Sequence, residues 1–405
     1  MKKASLVVIG GGILGCSTAY HLAKQGKEDV LLLERRDLAT ASSSQAAGLM
    51  FRISSKPAVD CLSRRTFELL SELEEITGDG LDFKAVGSLR VAESEANKAS
   101  LLKILNRAGA EGISVETVDR QWRSEMLPWF SAADDALTVF FKEEGYIDSY
   151  RLTRAYAKAA RLFGVEIKTG VSVRGIRVVN GVVTGVETDQ GVVACDSVVV
   201  AGGSWSNDLT LPHGIALPMV PTRSHFWIAA AEINFGERQP MMIHGDAGAY
   251  TRPEVGGLLL GVQEAHSRTF DYRLLPEDIS SFAVTDEGGE WDALIEAEAR
   301  VSNFFPGLAT ARFEHYMAGL SAYTPDGHFL LGAAKAVQGV FVAAGCCGSG
   351  VMASGGIGDA LAELITQGQS QYDLAPFDLQ RFGDVAPASE AFQLLCASAR
   401  ARKAK

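Results

Sequence analysis

The sequence has few cysteines and no long uninterrupted apolar run. None of its six cysteines belongs to a CxxC pair, and the adjacent Cys346 and Cys347 are poorly placed to form a disulfide with each other. This usage is typical of a reducing compartment. Glycines or charges interrupt every apolar stretch before it reaches the roughly 18 residues of a membrane-spanning helix. We therefore expect a cytoplasmic location and no transmembrane segment.

Positive charge and two kinds of catalytic motif are also scarce. The 38 basic residues are outnumbered by 49 acidic ones, and the formal net charge of −11 disfavours binding to nucleic acid. No cluster of histidine and acidic residues has metal-ligand spacing, and no GxSxG motif marks a serine nucleophile. The sequence predicts neither a metal site nor acyl-transfer chemistry.

The composition that is present is typical of a globular protein with a substantial core. Hydrophobic residues make up 47% of the 405 positions and charged residues 21%. A chain of this length exceeds one ordinary domain, so we expect two domains.

The N-terminal segment carries a nucleotide-binding motif. The apolar run 5–9 predicts a buried strand, and Gly10, Gly12 and Gly15 follow it as GxGxxG at the start of a predicted helix. Glu34 ends the next apolar run. Such glycines allow a tight turn and a close approach to a pyrophosphate, and the acid can accept a hydrogen bond from a ribose hydroxyl. The pattern predicts dinucleotide binding.

A polar segment follows where a nicotinamide-binding protein would usually continue with further strand–helix–strand units. Its members are Ser42, Ser43, Ser44 and Gln45, whose side chains could hydrogen-bond to phosphate and ribityl oxygens. A serine-rich helix cap is the alternative interpretation. Small residues at 46–48 then allow a close approach to a ligand.

The C-terminal part contains a second strand, glycine-rich turn and helix. An apolar strand at 340–344 leads into GCCGSG at 345–350 and a helix to about residue 367. Because nucleotide-binding features lie near both ends of the chain, we expect a discontinuous domain with another domain inserted into it. Residues 376–405 have weak periodicity, which predicts a loosely docked tail.

Further segments accompany these motifs in a fixed order. They are GGGILG, LLLER and SSSQAAGL near the N-terminus, GYID, GVEIKTGVSVRGI and SVVVAGGSWSNDL in the centre, and YTRPEVGG, TPDG and VAAGCCGSGVMASGGIGDALAELI beyond it. Together they resemble the FAD-dependent amine oxidoreductases of the D-amino-acid oxidase superfamily, which includes sarcosine oxidases, dimethylglycine dehydrogenases and glycine oxidases. The resemblance covers residues 1–370 approximately.

The resemblance implies FAD as the cofactor and assigns the residues that hold it. Gly10, Gly12, Gly15, Glu34 and Arg35 hold the ADP half, Val173 presents its backbone to the adenine, and Gly202 and Trp205 lie near the pyrophosphate. The remaining contacts are Ser42, Ser43, Ser44, Gln45, Ala47, Gly48 and Leu49 in the entry segment, and Gly345, Gly348, Ser349, Gly350 and Val351 beside the flavin. Backbone N–H groups of this last turn could stabilise charge at the flavin O2, with simple helix entry as the alternative.

Four positions depart from the family pattern. Gln45 stands where dimethylglycine and sarcosine dehydrogenases attach FAD to a histidine, and Gly319 where monomeric sarcosine oxidases use a cysteine. The resemblance therefore implies non-covalent FAD. Leu259 replaces a lysine that promotes reaction with oxygen, and Met352 replaces one that holds the substrate carboxylate. The first loss favours a dehydrogenase over an oxidase, and the second counts against sarcosine itself as the substrate.

A carboxylate substrate still needs a cationic partner, ideally a guanidinium that forms two hydrogen bonds with it. The candidates are Arg52, Arg252 and Arg223, with a solvated surface position as the alternative for each. Other side chains that could line a substrate pocket, or have ordinary structural roles instead, are His225, His244, Tyr250 and Tyr323.

The expected fold class is α/β (α+β), with a Rossmann-like FAD-binding domain and a discontinuous, mainly antiparallel-sheet substrate-binding domain. We expect the FAD-binding domain to comprise residues 1–85, 145–217 and 316–375. The substrate-binding domain then comprises 86–144 and 218–315, and 376–405 form the C-terminal tail.

The activity that the resemblance implies is oxidation of the C–N bond of a small secondary or tertiary amine, such as an N-methyl amino acid. A hydride leaves to flavin N5 and an imine is formed. The flavin performs the chemistry and the protein orients the reactants, so no catalytic side chain is assigned. The expected partners are the amine and an electron acceptor, either oxygen or an electron-transfer partner, and a homo- or hetero-oligomer is left open.

Two alternative functions remain. The first is a D-amino-acid or glycine oxidase-like deaminase, or a flavin enzyme that oxidises a 2-hydroxy acid. Relatives that act on D-amino acids often carry an arginine just before the Thr-Pro-Asp motif, and the presence of Ser321 there lowers this alternative. The second is a flavoprotein without turnover, serving as an assembly factor or as a subunit of a larger amine dehydrogenase.

Overall fold

The computed structural model describes residues 2–230, 235–236, 238–279 and 289–402. Residues 1, 231–234, 237, 280–288 and 403–405, which fall in the expected ranges 1–85, 218–315 and 376–405, lie outside the described residues.

Nine α-helices occur in the described part of the chain. They are α1 (Ile13–Lys24), α2 (Pro57–Thr77), α3 (Glu95–Ala110), α4 (Arg120–Met126), α5 (Ser149–Leu162), α6 (Ser206–Thr210), α7 (Asp292–Phe304), α8 (Gly350–Gln367) and α9 (Glu390–Ala401).

The strands lie between and around these helices. They are β1 (Lys2–Lys3), β2 (Leu6–Ile9), β3 (Val30–Leu33), β4 (Leu49–Met50), β5 (Ser88–Ala92), β6 (Val115–Thr117), β7 (Leu137–Phe141), β8 (Gly145–Tyr146), β9 (Glu166–Lys168), β10 (Val173–Val179), β11 (Val182–Thr188), β12 (Gly191–Ala194), β13 (Ser197–Val200), β14 (Val220–Ala229), β15 (Met241–His244), β16 (Ala249–Glu254), β17 (Gly257–Val262), β18 (Phe313–Tyr323), β19 (Leu330–Ala333) and β20 (Val340–Ala344).

A six-stranded sheet forms the centre of the nucleotide-binding part, in the order β19-β20-β13-β2-β3-β9. All neighbours run parallel except β19, which pairs antiparallel with β20. Leu6 and Val8 contact the layer of helices α1, α2, α5 and α8, whereas Val7 and Ile9 contact the sheet formed by β1, β12, β11 and β10. Burial on both faces explains why the strand sequences are continuously apolar.

A second large sheet has eight strands in the order β18-β14-β17-β16-β15-β5-β7-β6. Its neighbours are antiparallel except β15 and β5. Helix α7 covers one face, and α3 packs against part of the other. Strand β18 pairs with β14 as far as Tyr323, so the expected boundary between residues 315 and 316 falls inside a strand.

Helix α8 packs unusually close to its neighbours because it presents glycines to them. A Cβ at Gly356 would lie within 3.0 Å of the backbone of Leu62 in α2, and a Cβ at Gly358 would meet Ser17 of α1 at a similar separation. Real Cβ atoms do not approach so closely. These glycines therefore determine how α1, α2 and α8 pack on the sheet.

The expectation of a loosely docked C-terminal tail is wrong. Helix α9 begins at an N-cap, where the Ser389 side chain accepts a hydrogen bond from the Phe392 N–H. Phe392 and Cys396 are buried against Val220 and Tyr323. The sequence pattern is weak because the buried face of this single helix is narrow and composed mainly of small residues.

Among the described residues, no helix combines the length and the apolarity that crossing a membrane requires.

The helix packing predicts opposite effects for two glycine-to-alanine changes. Gly356→Ala should lower the free energy of unfolding by about 2 kcal/mol or more, because the new Cβ meets the Leu62 backbone. Gly109→Ala is the matched control, since Gly109 lies in α3 with open space around it, and should raise that free energy by about 0.5–1 kcal/mol. Urea unfolding followed by circular dichroism tests both, and equal unfolding midpoints would contradict the packing.

Candidate functional site

A cavity of about 770 Å³ lies between the six-stranded and eight-stranded sheets. The residues at the carboxyl ends of four parallel strands border it, namely Ile9, Leu33, Ala201 and Ala344. Ligands of open α/β sheets bind at this edge, where the strands end and the loops begin. The cavity then continues onto the face of the eight-stranded sheet that α7 leaves uncovered.

The glycine turn after β2 forms one wall of the cavity. Gly10 has φ +112°, and a Cβ there would lie 2.5 Å from the carbonyl oxygen of Ala201. Gly12 lines the cavity and has open space on that side, where only the Ser43 hydroxyl lies near. Gly15 does not line the cavity, because it packs against the Gly10 carbonyl. Gly15 therefore allows the turn and the helix to pack closely and does not face the cavity.

The acid at the end of β3 faces this turn. The Glu34 carboxylate accepts hydrogen bonds from the backbone N–H of Gly11 at 2.6 Å and of Arg36 at 2.9 Å. Arg35 lies over the indole ring of Trp205 at 4.1 Å, and both line the cavity. Val173 and Gly202 also border the cavity, so apart from Gly15 the structure brings together the residues predicted to hold the ADP half.

The serine segment is partly engaged with the protein itself. The Ser43 hydroxyl accepts a hydrogen bond from the Ile13 N–H at 2.9 Å, so it caps the start of α1 from a distant segment. Ser42 donates to the Leu320 carbonyl, and both serines line the cavity. Ser44 is exposed, donates to the Ala41 carbonyl at 3.0 Å and does not border the cavity. The structure therefore does not bring Ser44 to the cavity, and its cofactor contact remains a prediction.

Gln45 and Gly319 lie against each other, although they are far apart in the sequence. A Cβ at Gly319 would lie within 3.0 Å of the Gln45 side chain, and both residues line the cavity. The Gln45 Oε1 is buried and has no hydrogen-bond partner among the described residues. The small residues Ala47, Gly48 and Leu49 continue the same wall.

The glycine-rich turn before α8 forms the opposite wall. Gly345 and Gly348 have φ +62° and +65°, a conformation that glycine adopts without strain. The Ser321 hydroxyl accepts a hydrogen bond from the Gly348 N–H at 2.9 Å, which ties the turn to β18. Ser349, Gly350 and Val351 also line the cavity at the helix N-terminus, where the helix dipole favours negative charge.

Two tyrosines border the part of the cavity next to the eight-stranded sheet. The ring of Tyr250 occupies the space where Gly261 has no side chain. Tyr323 lies at the end of β18 and is almost completely buried. Burial raises the pKa of both phenols above the ordinary value, so both are uncharged donors at neutral pH.

Two of the three arginines predicted to bind substrate form ion pairs outside the cavity. Arg52 Nε lies 3.0 Å from a carboxylate oxygen of Glu143. Arg223 is buried and ion-paired with Glu264. Neither borders the cavity, so the structure does not bring them together with the other predicted site residues, and their substrate contacts remain predictions.

Arg252 and His244 are also held elsewhere. Arg252 donates to the Ala47 carbonyl at 2.7 Å and lies 2.5 Å from Glu254, so it supports the small-residue segment from behind. The His244 ring stacks on Phe304 at 5.0 Å, on the face covered by α7. Neither lines the cavity, and their substrate contacts likewise remain predictions that the structure does not support.

His225 borders the cavity along its strand, but its ring packs against Trp227 at 4.8 Å and Tyr316 at 6.0 Å. Burial, together with the nearby guanidinium groups of Arg400 and Arg223, lowers the pKa of this imidazole to about 2. It is therefore neutral at physiological pH. The ring thus has packing contacts within the protein, and its contact with substrate remains a prediction.

Sequence reasoning missed Arg400, which lines the cavity from α9 and is 3% exposed. The Ser389 N-cap and the spacing of Phe392, Cys396 and Ala399 were the available signal of a docked helix. They could indicate the helix but not that its last turn reaches the cavity.

In the part of the chain that the structure describes, no three His, Cys, Asp or Glu side chains lie close enough together to share a metal ion.

The fold and the cavity define a dinucleotide-binding protein whose cofactor site continues onto a second sheet. The family model for the FAD-dependent oxidoreductases named DAO matches residues 5–364 of this chain, so the chain belongs to that family. The predicted family, fold class and FAD cofactor are thereby confirmed.

The chain is similar to curated proteins that are much longer. It is 32% identical over 380 residues to the 4-methylaminobutanoate oxidase (formaldehyde-forming) of Paenarthrobacter nicotinovorans, covering 93% of this chain and 45% of the relative. It is 29% identical over 385 residues to the mitochondrial pyruvate dehydrogenase phosphatase regulatory subunit of Mus musculus, covering 94% and 43%. The chain thus spans less than half the length of these relatives.

Among solved structures, the fold is similar to that of L-proline dehydrogenase from P. horikoshii. The TM-score is 0.81 at 24% sequence identity, and the match covers 94% of this chain and 98% of the other. The likeness shows a shared fold.

The residues around the cavity fit FAD. Gly12 has no side chain, so a pyrophosphate could approach its backbone closely, and Glu34 lies beside the same turn, where it could accept a hydrogen bond from a ribose hydroxyl. The orphaned Gln45 Oε1 can accept a hydrogen bond from a polar group in the cavity, where the start of α8 lies on the opposite wall.

Glu34→Gln should weaken FAD binding to the apoprotein by roughly 10-fold, because a charged hydrogen-bond acceptor is replaced by a neutral one. Glu75→Gln is the matched control, since Glu75 is exposed on α2. Titration of apoprotein with FAD, followed by flavin fluorescence, measures both dissociation constants. The prediction fails if the two variants bind FAD equally well.

Proposed function

We propose that this chain oxidises the C–N bond of an N-methylated amino acid with bound FAD. The observation that carries the proposal is the continuity of the cavity from the glycine turn, past the start of α8, to Tyr250 and Tyr323. The family membership supports redox chemistry, and the name of the 4-methylaminobutanoate oxidase supports an N-methylated substrate.

The proposed FAD-binding part is the region around the six-stranded sheet, and the eight-stranded sheet supplies the substrate wall. The proposed FAD contacts that line the cavity are Gly10, Gly12, Glu34, Arg35, Ser42, Ser43, Gln45, Ala47, Gly48, Leu49, Val173, Gly202, Trp205, Gly345, Gly348, Ser349, Gly350 and Val351. Gly15 keeps the turn closed without contacting the cofactor itself.

The side chains at the substrate wall favour an uncharged amine. Tyr250 and Tyr323 remain protonated at neutral pH because burial raises their pKa values, and both can donate a hydrogen bond. When bound, FAD supplies the acceptor for a hydride from the carbon next to the amine nitrogen, and water hydrolyses the resulting imine. The protein's own contribution is to orient the amine and to exclude water.

We propose a dehydrogenase rather than an oxidase. Leu259, at the position where sarcosine oxidases have the lysine that promotes reaction with oxygen, is buried and uncharged. Met352 lines the cavity and likewise supplies no cation from α8. At the position of Leu259, the site therefore lacks the positive charge that would promote the reaction of reduced FAD with oxygen.

Anaerobic mixing with substrate tests the proposed activity. The yellow flavin should bleach with N-methyl amino acids such as 4-methylaminobutanoate, and should bleach much more slowly with the matching primary amines. Admission of air should restore the colour slowly, whereas rapid return would identify an oxidase. Bleaching by D-amino acids, glycine or 2-hydroxy acids instead would favour the deaminase or hydroxy-acid alternative.

Acid precipitation tests the mode of FAD attachment. The colour should remain in the supernatant, because Gln45 and Gly319 provide no nucleophile where relatives attach flavin. Absorbance at the flavin maximum before and after precipitation gives the released fraction. A yellow pellet would show a covalent bond and would overturn the non-covalent assignment.

A second candidate is a flavoprotein without turnover. The similarity to the pyruvate dehydrogenase phosphatase regulatory subunit favours it, because that relative is named as a regulatory subunit rather than as an oxidoreductase. A protein that binds FAD stoichiometrically but is bleached by no member of the amine, amino-acid and hydroxy-acid panel would support this candidate.

A further inference from the structure

We propose that Arg400, from the C-terminal helix α9, binds the carboxylate of the substrate. The proposal rests on the proposed function, since it concerns an amino-acid substrate in the same cavity. Arg400 lies after residue 364, where the match to the family model ends, and on a helix that the sequence alone did not connect to the site.

Two contacts position the guanidinium group of Arg400. Its Nε donates a hydrogen bond to the Arg223 carbonyl at 3.3 Å, and the group lies 5.9 Å from the ring centre of Tyr323. The side chain is 3% exposed and lines the cavity. Its Nη1 is buried without a hydrogen-bond partner among the described residues. One donor of a buried cation is therefore left for a ligand.

The other arginines at the cavity are already occupied. Arg35 lies over Trp205, and the remaining ones are paired with carboxylates as Arg36–Asp278, Arg90–Glu144, Arg174–Glu277 and Arg273–Asp271. Lys56 also lines the cavity, but it is only half-buried, so water can solvate its ammonium group, which also donates to the Gly327 carbonyl. Arg400 forms no ion pair with any carboxylate of the described chain within bonding distance.

A buried cation without a counterion is costly, and a bound carboxylate removes that cost. The charge of Arg400 acts on groups next to it, because it helps to lower the pKa of His225 and opposes the rise in the pKa values of Tyr250 and Tyr323. These tyrosines are the uncharged donors of the substrate wall. A carboxylate at Arg400 would thus lie beside phenol groups that can donate further hydrogen bonds to it.

The docking of α9 holds this arginine in place. Phe392, Cys396 and Ala399 form a cluster with Val220 and Tyr323, so the last turn of the helix is fixed against strands β14 and β18. Met352 of α8 provides no positive charge at the cavity, and Arg400 of the later helix α9 provides one.

Titration of the oxidised FAD-bound protein with butanoate, a carboxylate without an oxidisable amine, tests the assignment. The visible flavin spectrum reports binding without turnover, and calorimetry reports it independently. Arg400→Gln should raise the dissociation constant for butanoate roughly 30-fold or more, because one partner of a buried charge pair is removed. Arg400→Lys should keep part of the affinity, and butanamide should bind the wild type and Arg400→Gln alike.

Arg402→Gln is the matched control, since Arg402 is exposed just after the same helix and its side chain donates to the Pro325 carbonyl, away from the cavity lining. It should bind butanoate like the wild type. Equal butanoate affinity in Arg400→Gln with full FAD content would overturn the proposal, as would a wild type that does not prefer butanoate to butanamide. Failure of every amine to bleach the flavin would instead refute the proposed oxidation and leave the carboxylate site measurable.

Discussion

Close contact between glycine backbones and neighbouring elements is the constraint on which this structure depends. Gly15 lies against the Gly10 carbonyl, and Gly356 and Gly358 bring α8 against α2 and α1. These contacts direct the N-termini of α1 and α8 toward one cavity. Because helix N-termini carry partial positive charge, the backbone of these two helices alone favours a negatively charged ligand in the cavity. The position of the cofactor site therefore follows from how closely three helices can pack.

Charge pairing determines the character of the cavity walls. Buried Glu144 is bonded to Arg90 and also accepts hydrogen bonds from the Arg52 N–H at 2.9 Å. Glu264 is likewise paired with Arg223. Breaking such a pair would leave a buried charge without compensation, so these arginines are unavailable to a ligand. Among the buried arginines that border the cavity in the described chain, Arg400 differs because a ligand can still supply its counterion.

The nucleotide-binding half was largely predictable because its signals are local. A strand, a glycine turn and an acid at the end of the next strand have one common geometry, and the structure reproduces it at Gly10, Gly12 and Glu34. For the opposite reason, the sequence could not predict which arginine borders the cavity. Whether an arginine is free depends on residues far away in the sequence, as Arg52 with Glu143 illustrates.

The sequence by itself determined the family, the fold class and the cofactor, because these follow from motifs whose spacing reflects backbone geometry. Tertiary structure alone decided which cations border the cavity and that the last helix reaches it. It placed Gln45 against Gly319 and brought Arg400, rather than Arg52, Arg223 or Arg252, to the wall of the cavity. The physical reason is that ion pairing and burial are properties of the packed chain, in which each charge selects its partner by distance in space.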